Sequence, residues 1–145
     1  STEQGVRACL NRFIDAYTRR RPDVAMACLV ADPDLVPFGT GADEKRIGPD
    51  GALAQMERDW SQSEATTYAI DWTQVSESGP VAWASTEGAF KFRVGGQDMS
   101  MPARASFVLE HRNGDWLIAH AHFSAPAASQ EAAAFFSPCP RRNAM

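Results

Sequence analysis

The sequence predicts an α+β domain, with helices gathered ahead of an antiparallel meander of four long strands. Three observations carry this. Val6, Leu10, Phe13, Ile14 and Tyr17 form one apolar stripe of a helix over residues 3–20. From Thr66 onward, apolar and polar residues alternate in long runs. Hairpin-type signals separate those runs: Glu77-Ser78-Gly79-Pro80, Gly95-Gly96 and Asn113-Gly114. Helices and strands segregated along the chain read as α+β rather than as alternating α/β units.

On the first helix, Arg7, Asn11, Asp15 and Thr18 take the polar face, and Arg19, Arg20 and Arg21 sit at its end, where cations complement the helix dipole. Pro22 suits the first turn of a shorter second helix over 22–30. Asp32-Pro33-Asp34 reads as a turn and Leu35 to Phe38 as a short strand, which Lys45 to Gly48 may pair with after the loop Gly39 to Glu44. Pro49 and Asp50 open a third helix that buries Leu53, Met56 and Trp60. The long strands are then Thr66 to Val75, Val81 to Val94, Met99 to Arg112 and Trp116 to Ser124, with Trp116 expected to be buried at a hairpin base.

The length suits one cored domain, placed at residues 1–126, followed by an Ala-rich segment, 127–145, that reads either as a docked helix or as a tail. Net charge is -4, so a basic groove for nucleic acid is not expected. No run approaches the ~18 apolar residues of a membrane span, so no membrane partner is expected. The three cysteines show no CxxC or Cys/His spacing, which points away from a disulfide framework and a metal centre and toward a reducing compartment, the cytoplasm. No cofactor is expected.

The turns set the strand registers. A two-residue Gly95-Gly96 turn pairs Val94 with Gln97 and Glu87 with Arg104. A three-residue loop at Arg112-Asn113-Gly114 pairs His111 with Asp115 and Arg104 with His122. That choice makes one face apolar (Ala103, Ala105, Phe107, Leu109, Leu117, Ala119, Ala121, Phe123). The other face is mixed, with Trp83, Ser85, Glu87, Arg104, Ser106, Val108, Ile118, His120 and His122. Glu87, Arg104 and His122 then form one cross-strand row on strands ~4.8 Å apart.

The order of elements, and the ending Trp116, His120, His122, Ser124, Pro126, resemble the nuclear transport factor 2-like superfamily. Within it, the look-alikes are SnoaL-like proteins and the association domain of calcium/calmodulin-dependent protein kinase II. The loop GTGADE (residues 39–44) and the segment MPARAS (residues 101–106) are similar to bacterial SnoaL-like proteins. The resemblance covers residues 3–126. It implies a cone-shaped, cystatin-like roll: a curved antiparallel sheet wrapped on the long N-terminal helix, with a pocket at the open end and a homodimer through the sheet. The superfamily's ketosteroid isomerases carry a carboxylate base just after the first strand, but here no acid precedes Asp43. Their helix-borne tyrosine finds Phe13, with Tyr17 one turn later. The catalytic Asp/His arrangement of the dehydratases is not recognisable in order.

The expectation is therefore a small-molecule-binding SnoaL-like protein, acting as an isomerase, cyclase, dehydratase or hydrolase if it is an enzyme. Arg104 would anchor a polar or anionic substrate, His122 would act as hydrogen-bond donor or base, and Glu87 would orient Arg104. His120, Ser106, Tyr17, Trp60 and Asp43 would contact the ligand, with Glu44 beside Asp43 at the pocket rim. Two alternatives stay open. The mixed face can equally be a dimer interface, with Glu87 and Arg104 an ion pair, Tyr17 and Trp60 core residues and Asp43 solvated. The domain can also be a non-catalytic homo-oligomerisation or ligand-sensing module.

Overall fold

A reciprocal cap starts the chain. The Ser1 hydroxyl accepts from the Gln4 backbone N–H at 3.3 Å, and the Gln4 side chain accepts from the Ser1 amine at 3.2 Å. Helix α1 (Thr2–Thr18) buries Val6, Cys9, Leu10 and Ala16. It stops where Arg20 turns left-handed (φ 58°), and Pro22 opens α2 (Pro22–Ala27). The segment that follows is held by two backbone bonds, Val30 N–H to the Ile118 carbonyl at 2.9 Å and Ile118 N–H to the Cys28 carbonyl at 2.8 Å. The computed structural model describes residues 1–128, so the expectation of a tail or docked helix over 127–145 lies almost entirely outside the described residues.

Strand β1 (Val36–Phe38) lies parallel to the last strand. Lys45 makes a single bridge to Phe38 rather than a return strand. Helix α3 (Gly48–Ser61) begins at a left-handed Gly48 (φ 77°), whose N–H donates to the Leu35 carbonyl at 2.6 Å. Then come β2 (Ala65–Ser78), β3 (Val81–Val94), β4 (Gln97–Arg112) and β5 (Asp115–Ser124), in the sheet order β1-β5-β4-β3-β2.

The β3–β4 register is the expected one, with Val94 opposite Gln97 and Glu87 opposite Arg104. The β4–β5 register is not. Asn113 (φ 51°) and Gly114 (φ 87°) both take positive φ, which makes a two-residue turn that pairs Arg112 with Asp115 in place of the three-residue loop. A β-bulge follows: Leu109 pairs with Ile118 but Val108 pairs with His120, leaving Ala119 extra. Turn and bulge each shift β5 by one residue in the same sense. The faces of Arg104 and His122 are preserved, while their partners change. Arg104 stands opposite Ser124, and His122 opposite Ser106, so the expected Glu87–Arg104–His122 row does not form. Between turn and bulge the face itself flips, which puts Ile118 in the core at 1% exposure rather than on the mixed face.

A second bulge lies on β2, where the pairing slips between Ile70 and Trp72. Bulges bend and twist the strands that carry them, and the five-stranded sheet is curved and unclosed. Helix α1 packs on its inner face, over Ala82, Ala84, Ala103, Ala105, Phe107, Leu109 and Ile118. Trp116 is half-buried rather than buried; it closes on Gly5, where a Cβ would lie 2.6 Å from its ring. Among the described residues, no helix is long and apolar enough to cross a membrane.

Candidate functional site

Alternation decides which residues share the inner face, and only part of that face is covered by α1. The remainder forms a cavity of about 370 Å³ between the end of α1, α3, β1 and the inner side of the sheet. Its walls are mostly apolar, with Phe13, Tyr68, Phe90, Phe107 and Phe123 supplying rings. Tyr68, Phe90, Phe107 and Phe123 pack on one another with centroids 5.3–5.8 Å apart, so this wall is preformed.

One end of the cavity is polar. On α3, Gln55 and Asp59 are four residues apart and share the face that also carries Ala52 and Met56. The Gln55 amide donates to Asp59 Oδ1 at 2.8 Å and to Glu44 Oε1 at 3.0 Å, while its oxygen accepts from Arg46 Nε at 3.0 Å. The Tyr17 hydroxyl, from the last turn of α1, donates to Asp59 Oδ2 at 2.8 Å. The Thr66 hydroxyl lies 3.4 Å from the Tyr17 oxygen, and the Gly41 N–H donates to Glu44 Oε2. Burial, and then the Asp59 charge, push the Tyr17 phenol well above its ordinary value, so Tyr17 stays a hydrogen-bond donor.

Of the residues singled out in the sequence, Tyr17 lines the cavity. Trp60 does not. It backs Tyr17, with ring centroids 6.0 Å apart and its indole N–H donating to the Tyr17 carbonyl at 3.0 Å. Asp43 is on the surface, paired with Arg58 at 2.9 Å, and the next residue, Glu44, faces the cavity instead.

Glu87, Arg104, Ser106, His120 and His122 are all outside the cavity, on the convex face, because the apolar face is the one that receives α1. Glu87 and Arg104 do meet, at 3.3 Å, but both are more than half exposed. His120 Nδ1 lies 2.7 Å from the Val36 carbonyl, and the Phe38 ring stands 6.0 Å from the His120 ring and 5.2 Å from the His122 ring. The paired histidines thus fasten β1 to β5. Among the described residues, no three His, Cys, Asp or Glu side chains gather as metal ligands.

The sequence reading named Glu44, beside Asp43, but missed Gln55, Asp59, Thr66 and Tyr68. The available signal was the Gln55/Asp59 spacing beside Ala52 and Met56, which puts two polar groups on the flank of a buried helix face.

Comparison with solved structures matches this architecture. A nuclear transport factor 2-like protein from Pseudomonas putida superposes with a TM-score of 0.72 at 21% identity, covering 87% of this chain and 89% of that one. A protein from Xanthomonas campestris, named as a candidate calcium/calmodulin-dependent protein kinase II association domain, gives 0.73 at 24%, covering 83% and 85%. A candidate dehydratase of the same fold family from Streptomyces avermitilis gives 0.78 at 16%, covering 86% and 96%. At these identities the likeness is one of fold. No curated protein matches the chain by sequence. Residues 6–128 match the SnoaL-like domain, and by that match the chain belongs to the SnoaL-like family.

Proposed function

We propose that the protein binds an apolar small molecule in the concave cavity, with Tyr17, Gln55, Asp59 and Glu44 at the ligand's polar end. The observation that carries this is a preformed, aromatic-walled space of about 370 Å³ with a few convergent polar groups, the usual form of a small-molecule site. The expectation of an anionic substrate rested on Arg104, which is outside the cavity; among the described lining residues none is Lys, Arg or His. The cavity favours ligand binding over a purely assembling module.

A second part of the proposal concerns the convex face. Trp72 and Trp83 are 50% and 43% exposed there, beside Val108 and the Glu87–Arg104 pair, which supports a homodimer through this face. The cytoplasm is the compartment we propose, supported by the free thiols Cys9 and Cys28.

Calorimetric titration with naphthylmethanol, a neutral two-ring probe, tests the cavity. One saturable site is expected, and Ala121→Phe, which turns a ring into the space from β5, should abolish it while the variant still melts cooperatively. Equal binding by the variant would place the probe elsewhere and sink the proposal. In sedimentation, a monomer at micromolar concentration would remove the dimer alone.

A further inference from the structure

We propose that the natural ligand is an organic cation: an apolar, ring-sized body bearing a protonated amine. The inference rests on the cavity reading above and deepens it. Three features of the polar end point the same way.

The first is charge. Glu44 and Asp59 line the cavity, and no described lining residue is cationic. Two arginines stand behind them. Arg58 is engaged by Asp43 at 2.9 Å, and Arg46 donates to the Gln55 oxygen at 3.0 Å. A third, Arg20, donates to the Trp60 and Ser63 carbonyls at 2.9 and 2.7 Å, and among the described residues none of the three is ion-paired with Glu44 or Asp59.

The second is the direction of the hydrogen bonds. Both Gln55 amide protons are committed, one to Asp59 and one to Glu44. The Tyr17 proton goes to Asp59, and the Gly41 N–H to Glu44. With the Tyr17 proton so used, the Thr66 hydroxyl is the donor toward the Tyr17 oxygen. Within this network what stays open is acceptor capacity: each carboxylate oxygen takes one of these bonds and can accept another, while the Thr40 hydroxyl and Gln62 amide belong to exposed lining residues outside it. A ligand group that meets Glu44 or Asp59 must therefore bring protons. A carboxylate or phosphate would bring none and would face two like charges.

The third is the wall. The rings of Phe13, Phe90 and Phe123 border the space, and aromatic faces attract cations through their quadrupole. Apolar walls also raise the strength of an ammonium–carboxylate bond by keeping water away from it.

The test compares naphthylmethylamine, naphthylmethanol and naphthoate by calorimetry at pH 7, so that ring system stays fixed and charge changes. The amine should bind at least about tenfold more tightly than the alcohol, as a charge-assisted bond replaces a neutral one, and naphthoate should be weakest. In Asp59→Asn the amine's advantage should shrink to about threefold or less while alcohol binding persists; Glu44→Gln should reduce it too, and serves if Asp59→Asn does not fold. If the alcohol or naphthoate equals the amine, or if neither variant changes the ratio, the cation assignment is wrong and the cavity reading stands. If none of the three binds, the cavity reading itself fails and this inference with it.

Discussion

Gly88 sits where β3 passes the β2 bulge, paired with Ile70 on one side and Ala103 on the other. A Cβ at this position would lie 1.9 Å from the Ala69 carbonyl oxygen and 2.8 Å from its carbon. Comfortable C···O contact begins near about 3.3 Å, so Gly88→Ala requires the two strands to part by more than about 1 Å. The clash is with backbone, which cannot rotate away as a side chain can. Parting by that distance breaks the ladder bonds that flank the bulge, at about 1 kcal/mol each for about two bonds, and adds overpacking strain of about 1–3 kcal/mol. The lower entropy of the unfolded alanine chain returns about 0.5–1 kcal/mol. The net loss is about 3 kcal/mol. With a urea slope of about 1.5–2 kcal/mol/M for a domain of this size, the midpoint should fall by about 1.5–2 M. A midpoint unchanged within error would mean that β2 and β3 do not approach as closely as the bulge demands.

Two further predictions concern pH. The chain has two tyrosines, Tyr17 and Tyr68, and burial is the main cause that pushes both phenols up. The unfolded chain releases those protons near pH ~10 while the native state keeps them, so stability should fall as pH rises above about 10. Tyr17→Phe removes one of the two sites, so the loss in urea midpoint between pH 9 and 11 should be visibly smaller; an identical loss would mean Tyr17 is solvated. At the other extreme, Arg112 grips Asp32 with two bonds of 2.8 and 2.6 Å and holds that carboxyl below its usual range. A depressed carboxyl contributes stability above its unfolded pKa of ~3.9, and that contribution is lost as pH falls through the folded value. Arg112→Met should therefore lower the urea midpoint at pH 7, and that loss should shrink as pH falls below the unfolded value; a loss independent of pH would show that the pair acts through packing.

What the sequence disclosed was local. The stripe on α1 and the Gly95-Gly96 turn are written in neighbouring residues, and both were read correctly, down to Glu87 opposite Arg104. The error on β5 had two sources: the Asn113-Gly114 turn takes two residues, which that dipeptide does mark, and the Ala119 bulge has no local mark, since an alanine between Ile118 and His120 looks like any strand residue. Alternation shows which side chains share a face but not which face is concave, since curvature arises from bulges and from α1 docking. That is why the polar row of β3 and β4 could be taken for a pocket lining. Tyr17 was legible because it ends an apolar stripe. Gln55 and Asp59 were not, because a polar pair four apart on a helix ordinarily reads as a solvated surface pair; it faces the cavity only because Tyr17, Thr66 and Glu44 converge on it from three other segments.

The cavity also sets a tension between stability and binding. The apolar wall of the cavity forgoes burial worth about 25 cal/mol per Å² wherever side chains leave the space unfilled. A fold under no demand but stability would fill part of it. Ala52 is a candidate position, because it lies on α3, is 5% exposed and borders the cavity. Ala52→Leu adds three carbons to that border. Burying them contributes about 0.8 kcal/mol each, and ordering the longer side chain costs about 0.5–1 kcal/mol, with little change in helix propensity. The variant should be more stable by about 1.5 kcal/mol in urea and should bind naphthylmethanol at least about tenfold more weakly, since the added volume is taken from the ligand. Opposite signs for the two effects are the signature of space kept for a ligand. A less stable variant with unchanged affinity would show that Ala52 already packs tightly and that the ligand's boundary lies further toward the sheet.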